Sequence, residues 1–348
     1  MALRLYVDGG RWRAHLRSMR DTYPGIVPVV KGNGYGLGVP RLARKSDWLK
    51  VDTIAVGTYT EVPEAAKRYD GSLLVLTPWR PFGASVVFDE RVIHTVGRIE
   101  DLAQLAARKD RPRVVLEHLT TMLRHGFSAR ALREAGALTS ARSAGVTVEG
   151  VALHLPMSPG SHMPEVERTM TDIVAAGVPT TRVYVSHLTD IELETLRAAY
   201  PDYEFRPRIG TALWLGDRGA LSVKATVLDS HRVERGDVFG YRGRTAPRPG
   251  TILIVSGGTA HGIGLEAPIG STTLKQRAAS IAKGGLDAAG FVRSPYTIDG
   301  KQRLFAEPPH MQVSMLFLPG GALVPELGDE VDVRVRYTAT HFDQTVIN

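Results

Sequence analysis

The chain has 348 residues, 43% of them apolar and 7% aromatic, which suits a folded enzyme larger than one ordinary domain and excludes a disordered chain. It contains no cysteine, so disulfides, thiolate metal sites and a cysteine nucleophile are excluded. The net charge of +7 comes without long basic runs and with acids interspersed, which argues against nucleic acid; a phosphate-bearing ligand or an Arg-rich codon bias accounts for it.

The N-terminal stretch carries charges throughout and lacks the apolar core of a signal peptide. No segment reaches the roughly 18 uninterrupted apolar residues of a membrane span. A cytoplasmic location is the expectation, with no membrane partner.

Taken in chain order, short apolar runs alternate with helical stretches. The predicted strands are 26–31, 53–58, 72–77, 92–96, 113–117, 148–154, 182–186 and 203–208. The predicted helices are 39–49, 61–69, 99–107, 129–144, 164–176 and 191–199. Only the link 78–90 lacks a helical pattern. This alternation favours an α/β fold of (β/α)8 barrel type over a doubly wound open sheet. After Gly219 the texture changes. Strands are expected at 222–228, 251–256, 311–318 and 330–337, with turns at 229–233, 236–241 and 328–330 and loops at 257–270 and 294–302. The expected division is a barrel over 1–218, its first few residues pairing with the C-terminal part, and a smaller, mainly antiparallel β domain over 219–348.

The most informative stretch is Val27-Pro28-Val29-Val30-Lys31-Gly32-Asn33-Gly34-Tyr35-Gly36-Leu37-Gly38. It is an apolar run that ends in a lysine and breaks into glycines. Desolvation lowers a lysine's pKa, which suits an amine that bonds covalently to a carbonyl compound, and glycines let backbone approach a bound group. In a β/α barrel the active site lies at the C-terminal strand ends. The polar residues there are Lys31, Glu117 with Met122 and Arg124 beyond it, His154, Ser186, and Arg208 followed by Gly210 and Thr211. Ser186, Gly210 and Thr211 offer hydroxyl and N–H donors to a phosphate. No pattern of metal ligands stands out.

These motifs resemble the alanine racemase family, the fold-type III pyridoxal-phosphate enzymes. Lys31-Gly32-Asn33-Gly34-Tyr35-Gly36-Leu37-Gly38 is similar to its Lys-Ala-Asn-Ala-Tyr-Gly-His-Gly, Leu119–Gly126 to its Asp-Thr-Gly-Met-x-Arg-x-Gly, and Arg208–Trp214 to its Arg-Pro-Gly-Ile-x-Leu-Tyr. The resemblance implies pyridoxal 5'-phosphate as cofactor, carried on Lys31 as an aldimine. Tyr35 and Ser186 would touch its phosphate, His154 would lie beside its ring and Arg208 would face its pyridine nitrogen. Arg124 would meet the phenolic oxygen and the substrate carboxylate, with Glu117 standing where many relatives carry a carbamylated lysine. In the β domain, Met311-Gln312-Val313-Ser314-Met315 is similar to a family segment that enters the partner subunit's site. A head-to-tail homodimer with shared sites is implied, with Met311 touching substrate. So is the interconversion of L- and D-amino acids, alanine by default, for D-amino-acid metabolism and the cell wall.

One departure bears on the reaction. Racemisation needs a base on each face of the carbanion. The family's second base is a tyrosine in Gly-Tyr-Ala-Asp-Gly, and this chain reads Gly258-Thr259-Ala260-His261-Gly262. A threonine hydroxyl is far too weak an acid, and His261 is the titratable substitute nearby. The C-terminal stretch also departs from the family, and His341 is a candidate for the phosphate end. The alternatives are another reaction on the same scaffold, such as elimination, decarboxylation or one-base exchange, or a cofactor-binding protein that does not racemise.

Overall fold

The structure, a computed structural model, describes residues 2–83, 89–140, 145–157, 160–265 and 292–348. It has two compact units: Arg13–Gly216, and a second made of Met1–Trp12 with Asp217–Asn348.

Strand β1 (Leu3–Val7) belongs to the second unit and pairs antiparallel with its first long strand. The barrel follows. Its strands are β2 (Val27–Val30), β3 (Thr53–Val56), β4 (Ser72–Val75), β5 (Val92–Val96), β6 (Arg113–His118), β7 (Thr147–Leu153), β8 (Arg182–Val185) and β9 (Glu204–Ile209). Each pairs in parallel with the next, and β9 returns to β2 through Val27 with Arg208 and Pro28 with Ile209. The predicted barrel is the observed one. The strands are buried on both faces, which is why they read as continuous apolar runs. One interior layer comprises Val27, Val29, Ala55, Leu74, Ile93, Val115, Ala152 and Tyr184. Gly150 makes room for Tyr184, since a β-carbon there would lie 2.7 Å from its ring.

The helices are α1 (Gly9–Thr22), α2 (Val39–Trp48), α3 (Val62–Ala66), α4 (Ile99–Ala106), α5 (Ala129–Ser140), α6 (Met163–Ala176), α7 (Asp190–Ala199) and α8 (Thr211–Leu215). In α6, Val166, Thr169, Met170, Ile173 and Ala176 form the buried stripe, and Gly177 ends the helix at φ 57°. Helices α1 and α8 went unread in the sequence. The last four residues of the helix predicted at 129–144 lie outside the described residues, as does part of the 78–90 link.

The β unit contains β10 (Leu221–Val233), β11 (Val238–Phe239), β12 (Arg244–Thr245), β13 (Gly250–Ser256), β14 (Arg293–Ile298), β15 (Lys301–Phe305), β16 (Val313–Pro319), β17 (Glu330–Val333) and β18 (Gln344–Ile347). One sheet runs β13-β16-β15-β14-β17-β10-β1-β18, and β10 also pairs with β13. Three expectations need correction. Residues 229–233 are not a turn: β10 passes a bulge after Val227 and continues against β13, because ladder bonds outweigh the polar composition. Within 236–241 lies the short strand β11. Residues 294–302 are not a loop but the hairpin β14–β15, whose turn residues Asp299 (φ 53°) and Gly300 (φ 66°) supply the two left-handed positions such a turn demands. Of the loop expected at 257–270, Thr259–His261 is a single helical turn, and 266–270 lie outside the described residues. Among the described residues, no helix is long and apolar enough to cross a membrane.

Candidate active site

Lys31 follows the last residue of β2, at the C-terminal mouth of the barrel. The turn after it needs left-handed backbone at Gly32 (φ 61°), Gly34 (φ 61°) and Tyr35 (φ 56°). Gly34 is obligatory, because a β-carbon there would lie 2.6 Å from the Val39 nitrogen. This turn brings Tyr35 back into the barrel, where it is buried with its hydroxyl against Gly210, the residue after β9. Burial raises the Tyr35 phenol above its ordinary range, so it stays protonated.

Across the mouth lies a polar cluster in which Arg208, Ser186 and Glu117 are buried, His154 is half-buried and His187 is exposed. Arg208 Nη2 donates to the Leu153 carbonyl at 2.9 Å and to Ser186 Oγ at 3.0 Å. Ser186 Oγ also pairs with His154 Nδ1 at 3.0 Å, and the His187 ring stands edge-on to His154 at 4.9 Å between centroids. Arg208 Nη1 lies 3.9 Å from Glu117 Oε2, with both side chains buried. Burial raises the Glu117 carboxyl, and the Arg208 and Arg124 charges pull it back. Burial and then the charges of Arg208 and Arg124 hold His154 down to about 3, so it is a neutral imidazole at physiological pH. Lys31 is exposed as a whole residue, but partial desolvation at the mouth holds its amine below the usual lysine range, reinforced by the same two guanidiniums and opposed by Glu61.

Arg124 sits in a loop pinched off at its base by Leu119 N–H to Phe127 O (2.9 Å) and Phe127 N–H to Glu117 O (2.7 Å). Thr120 Oγ1 ties the loop to the His154 carbonyl at 2.6 Å, and the Glu165 carboxylate on α6 accepts from Thr121 N–H and Oγ1. The Arg124 side chain is exposed. Thr211 opens α8 and is also exposed.

The barrel thus brings together Lys31, Tyr35, Arg124, His154, Ser186, Arg208, Gly210 and Thr211. Thr259, His261 and Met311 belong to the other unit. Thr259 is half-buried, its N–H donating to the His310 carbonyl at 2.8 Å. His261 is buried, its Nδ1 accepting from Gly258 N–H at 3.2 Å and its Nε2 facing Asp343 Oδ1 at 3.2 Å. Met311 and His341 are exposed.

Sequence reasoning passed over the carboxylates that tie the mouth's loops together. Glu61 accepts from Gly32 N–H (2.9 Å), Gly57 N–H (2.6 Å) and Thr58 N–H (3.3 Å), joining the turns after β2 and β3. Glu192 accepts from His162 N–H, Ser161 Oγ and Thr189 N–H, joining the segments after β7 and β8. Burial alone would raise the Glu192 carboxyl, but these donors bring it down to about 2. The signal was present in Thr58-x-x-Glu61 and Thr189-x-x-Glu192, the Thr-x-x-Glu pattern of a helix start.

A model of the family "Alanine racemase, N-terminal domain" matches residues 7–188, more than half of the sequence. The chain belongs to the alanine racemase family. An alanine racemase of Nitratidesulfovibrio vulgaris is 27% identical over 283 residues, covering 72% of this chain and 73% of that protein. Among solved structures, alanine racemase from Bartonella henselae with covalently bound pyridoxal phosphate shares the fold at TM-score 0.74 and 16% identity, over 100% of this chain and 99% of that one. The enzyme from D-cycloserine-producing Streptomyces lavendulae does so at TM-score 0.72 and 18% identity, over 100% and 97%.

The family's cofactor fits the residues present on two observations. Arg208 Nε is buried and, among the described residues, has no hydrogen-bond partner, so one donor remains for a ligand. Lys31 has its amine lowered at the same mouth, as a covalently bonding lysine requires.

Proposed function

We propose that this protein is a pyridoxal-phosphate-dependent amino-acid racemase acting on small amino acids, with alanine as the first substrate to test. The observation that carries this reading is the gathering, at one barrel mouth, of a lysine with a lowered amine, a buried arginine with a spare donor, and a histidine held neutral. Lys31 would hold the cofactor through Nζ. Tyr35, Ser186, Gly210 and Thr211 would bind its phosphate, and His154 would lie against its ring. When bound, the cofactor's ring takes up the electron pair left on Cα as a proton departs. Arg208, which cannot give up its proton, would meet the ring nitrogen and keep it unprotonated. Arg124 would bind the substrate carboxylate, and Lys31 Nζ would move the proton on one face of Cα. By the same resemblance, the β domain of a partner subunit would bring Met311 and the Thr259 turn to this site in a head-to-tail homodimer, in the cytoplasm.

A second reading has an observation of its own. Thr259 stands where the family has its second base, and His261 is buried against Asp343. This favours one-base chemistry on the same scaffold. Absorption spectra of the purified protein, before and after D- or L-alanine and larger amino acids, test the cofactor. A cofactor band lost in Lys31→Ala is expected, and a colourless protein after incubation with pyridoxal phosphate refutes the enzyme reading. Solvent deuterium at Cα then separates the reactions. Loss of optical rotation means racemisation, and exchange with retained configuration means one working base.

A further inference from the structure

The Glu61 carboxylate is half-buried and spends both oxygens on backbone N–H groups at two adjacent strand ends. One of those groups belongs to Gly32, the residue after Lys31. Gly57 explains how the carboxylate comes so close. A β-carbon at Gly57 would stand 3.0 Å from Lys31 Cβ and 3.0 Å from Glu61 Oε2, so the bare glycine lets the lysine stem and the carboxylate lie against the same backbone.

Among the described residues, the charged and titratable neighbours of Lys31 are Arg124, Arg208, His154 and Glu61. Glu117 stands behind Arg208, and Tyr35 lies near Glu61. The two arginines are positive, His154 is neutral, and the Glu117 charge is turned to Arg208. Among the described residues, Glu61 is therefore the acid that acts on the lysine amine.

We infer that Glu61 is the positioning residue of Lys31: its carboxylate locks the Lys31–Gly32 turn to the neighbouring strand end and supplies the negative charge that opposes Arg124 and Arg208. This rests on the reading of Lys31 as the cofactor-bearing amine, and it extends that reading to a residue in a separate turn. Glutamine at position 61 keeps the shape and one accepting oxygen. It loses the charge and turns an NH2 group toward donors. Lys31 in Glu61→Gln then holds its proton less firmly than in the wild type, because only the arginines remain to act on it.

The test is competitive acetylation of Lys31 by limiting acetic anhydride across a pH series, read at the Lys31 peptide by mass spectrometry. The protein is first treated with hydroxylamine to remove any bound carbonyl compound. Near neutral pH the Lys31 amine of Glu61→Gln is expected to react roughly three to ten times faster than that of the wild type, the consequence of losing one neighbouring charge in a partly wet site. Glu192→Gln, which loosens a loop tie of the same design away from Lys31, is expected to leave the profile unchanged, so a merely structural role would not reproduce the shift. Glu61→Asp, which keeps the charge and shortens the reach, is expected to lie between wild type and Glu61→Gln.

An unchanged profile in a folded Glu61→Gln overturns the inference. So does an equal change in Glu192→Gln. Failure of both position-61 variants to fold overturns it as well, since the residue would then serve the barrel as a whole. The readout follows the amine itself. A protein that never takes up cofactor would sink the proposed function, while the acetylation profile would still show whether Glu61 acts on Lys31.

Discussion

Gly210 leaves the space into which the Tyr35 hydroxyl packs, and substituting the glycine tests whether that contact builds the site. A β-carbon on Gly210 would stand 2.1 Å from the Tyr35 hydroxyl oxygen, 2.9 Å from Tyr35 Cζ and 3.4 Å from Val29 Cβ. The backbone at Gly210 has φ −113°, so Gly210→Ala adds no left-handed residue and the collision is the cost the contact predicts. Tyr35 cannot simply turn aside, because it is buried and its backbone is held at φ 56° by the Lys31 turn. Overpacking of this kind costs about 1–3 kcal/mol. For a unit of this size that lowers Tm by roughly 2–12 °C. Tyr35→Phe removes the atom at 2.1 Å but keeps Cζ at 2.9 Å, so Gly210→Ala/Tyr35→Phe should recover part of the loss, with a coupling of about 0.5–1 kcal/mol. Thermal unfolding of the four proteins in the cycle, followed by circular dichroism, measures this, and the cofactor band should weaken in Gly210→Ala because Tyr35 is pushed from its place. A Gly210→Ala protein as stable as the wild type, or a double variant no better than Gly210→Ala, would refute the reasoning.

Two more outcomes follow from the buried charges. Arg208→Met leaves Glu117 buried without its cation and should cost about 3–5 kcal/mol at neutral pH. Because the folded-state Glu117 carboxyl is raised above its unfolded value, the penalty should shrink below the ordinary glutamate range and grow as pH rises through it, as denaturant midpoints at acid and neutral pH will read. His154 is depressed from 6.5 to about 3, so the unfolded chain takes up a proton that the folded one refuses, and stability is lost as pH falls between those values. His154→Gln should flatten that acid limb. An unchanged limb in a folded variant would mean that His154 is already protonated in the native state.

The barrel strands were legible because parallel strands buried on both faces leave near-continuous apolar runs, and Lys31 was legible as the polar residue that ends one of them. The α1 and α8 helices were not. In α1, Trp12 and Leu16 are the fully buried side chains, set among arginines, too few to mark a helical stripe. The β14–β15 hairpin carries its turn signal in Asp299-Gly300, but the polar residues around it hide the strand pattern. The extension of β10 could not be read, since its strand character comes from β13, which is distant in the chain.

The chain's local chemistry determined the architecture, the lysine turn with its obligatory glycines, and the set of strand-end groups that name the family. Only the tertiary structure decided which of those groups meet. It set Arg208 between Glu117 and Ser186 with one donor spare, and held His154 neutral beside two guanidiniums. It also committed His261 to Asp343 and tied Glu61 to the turn that follows Lys31. The reason is physical. Strand and turn propensities act over a few residues, whereas desolvation, charge and hydrogen-bond partnership depend on what barrel closure brings together from opposite ends of the sequence.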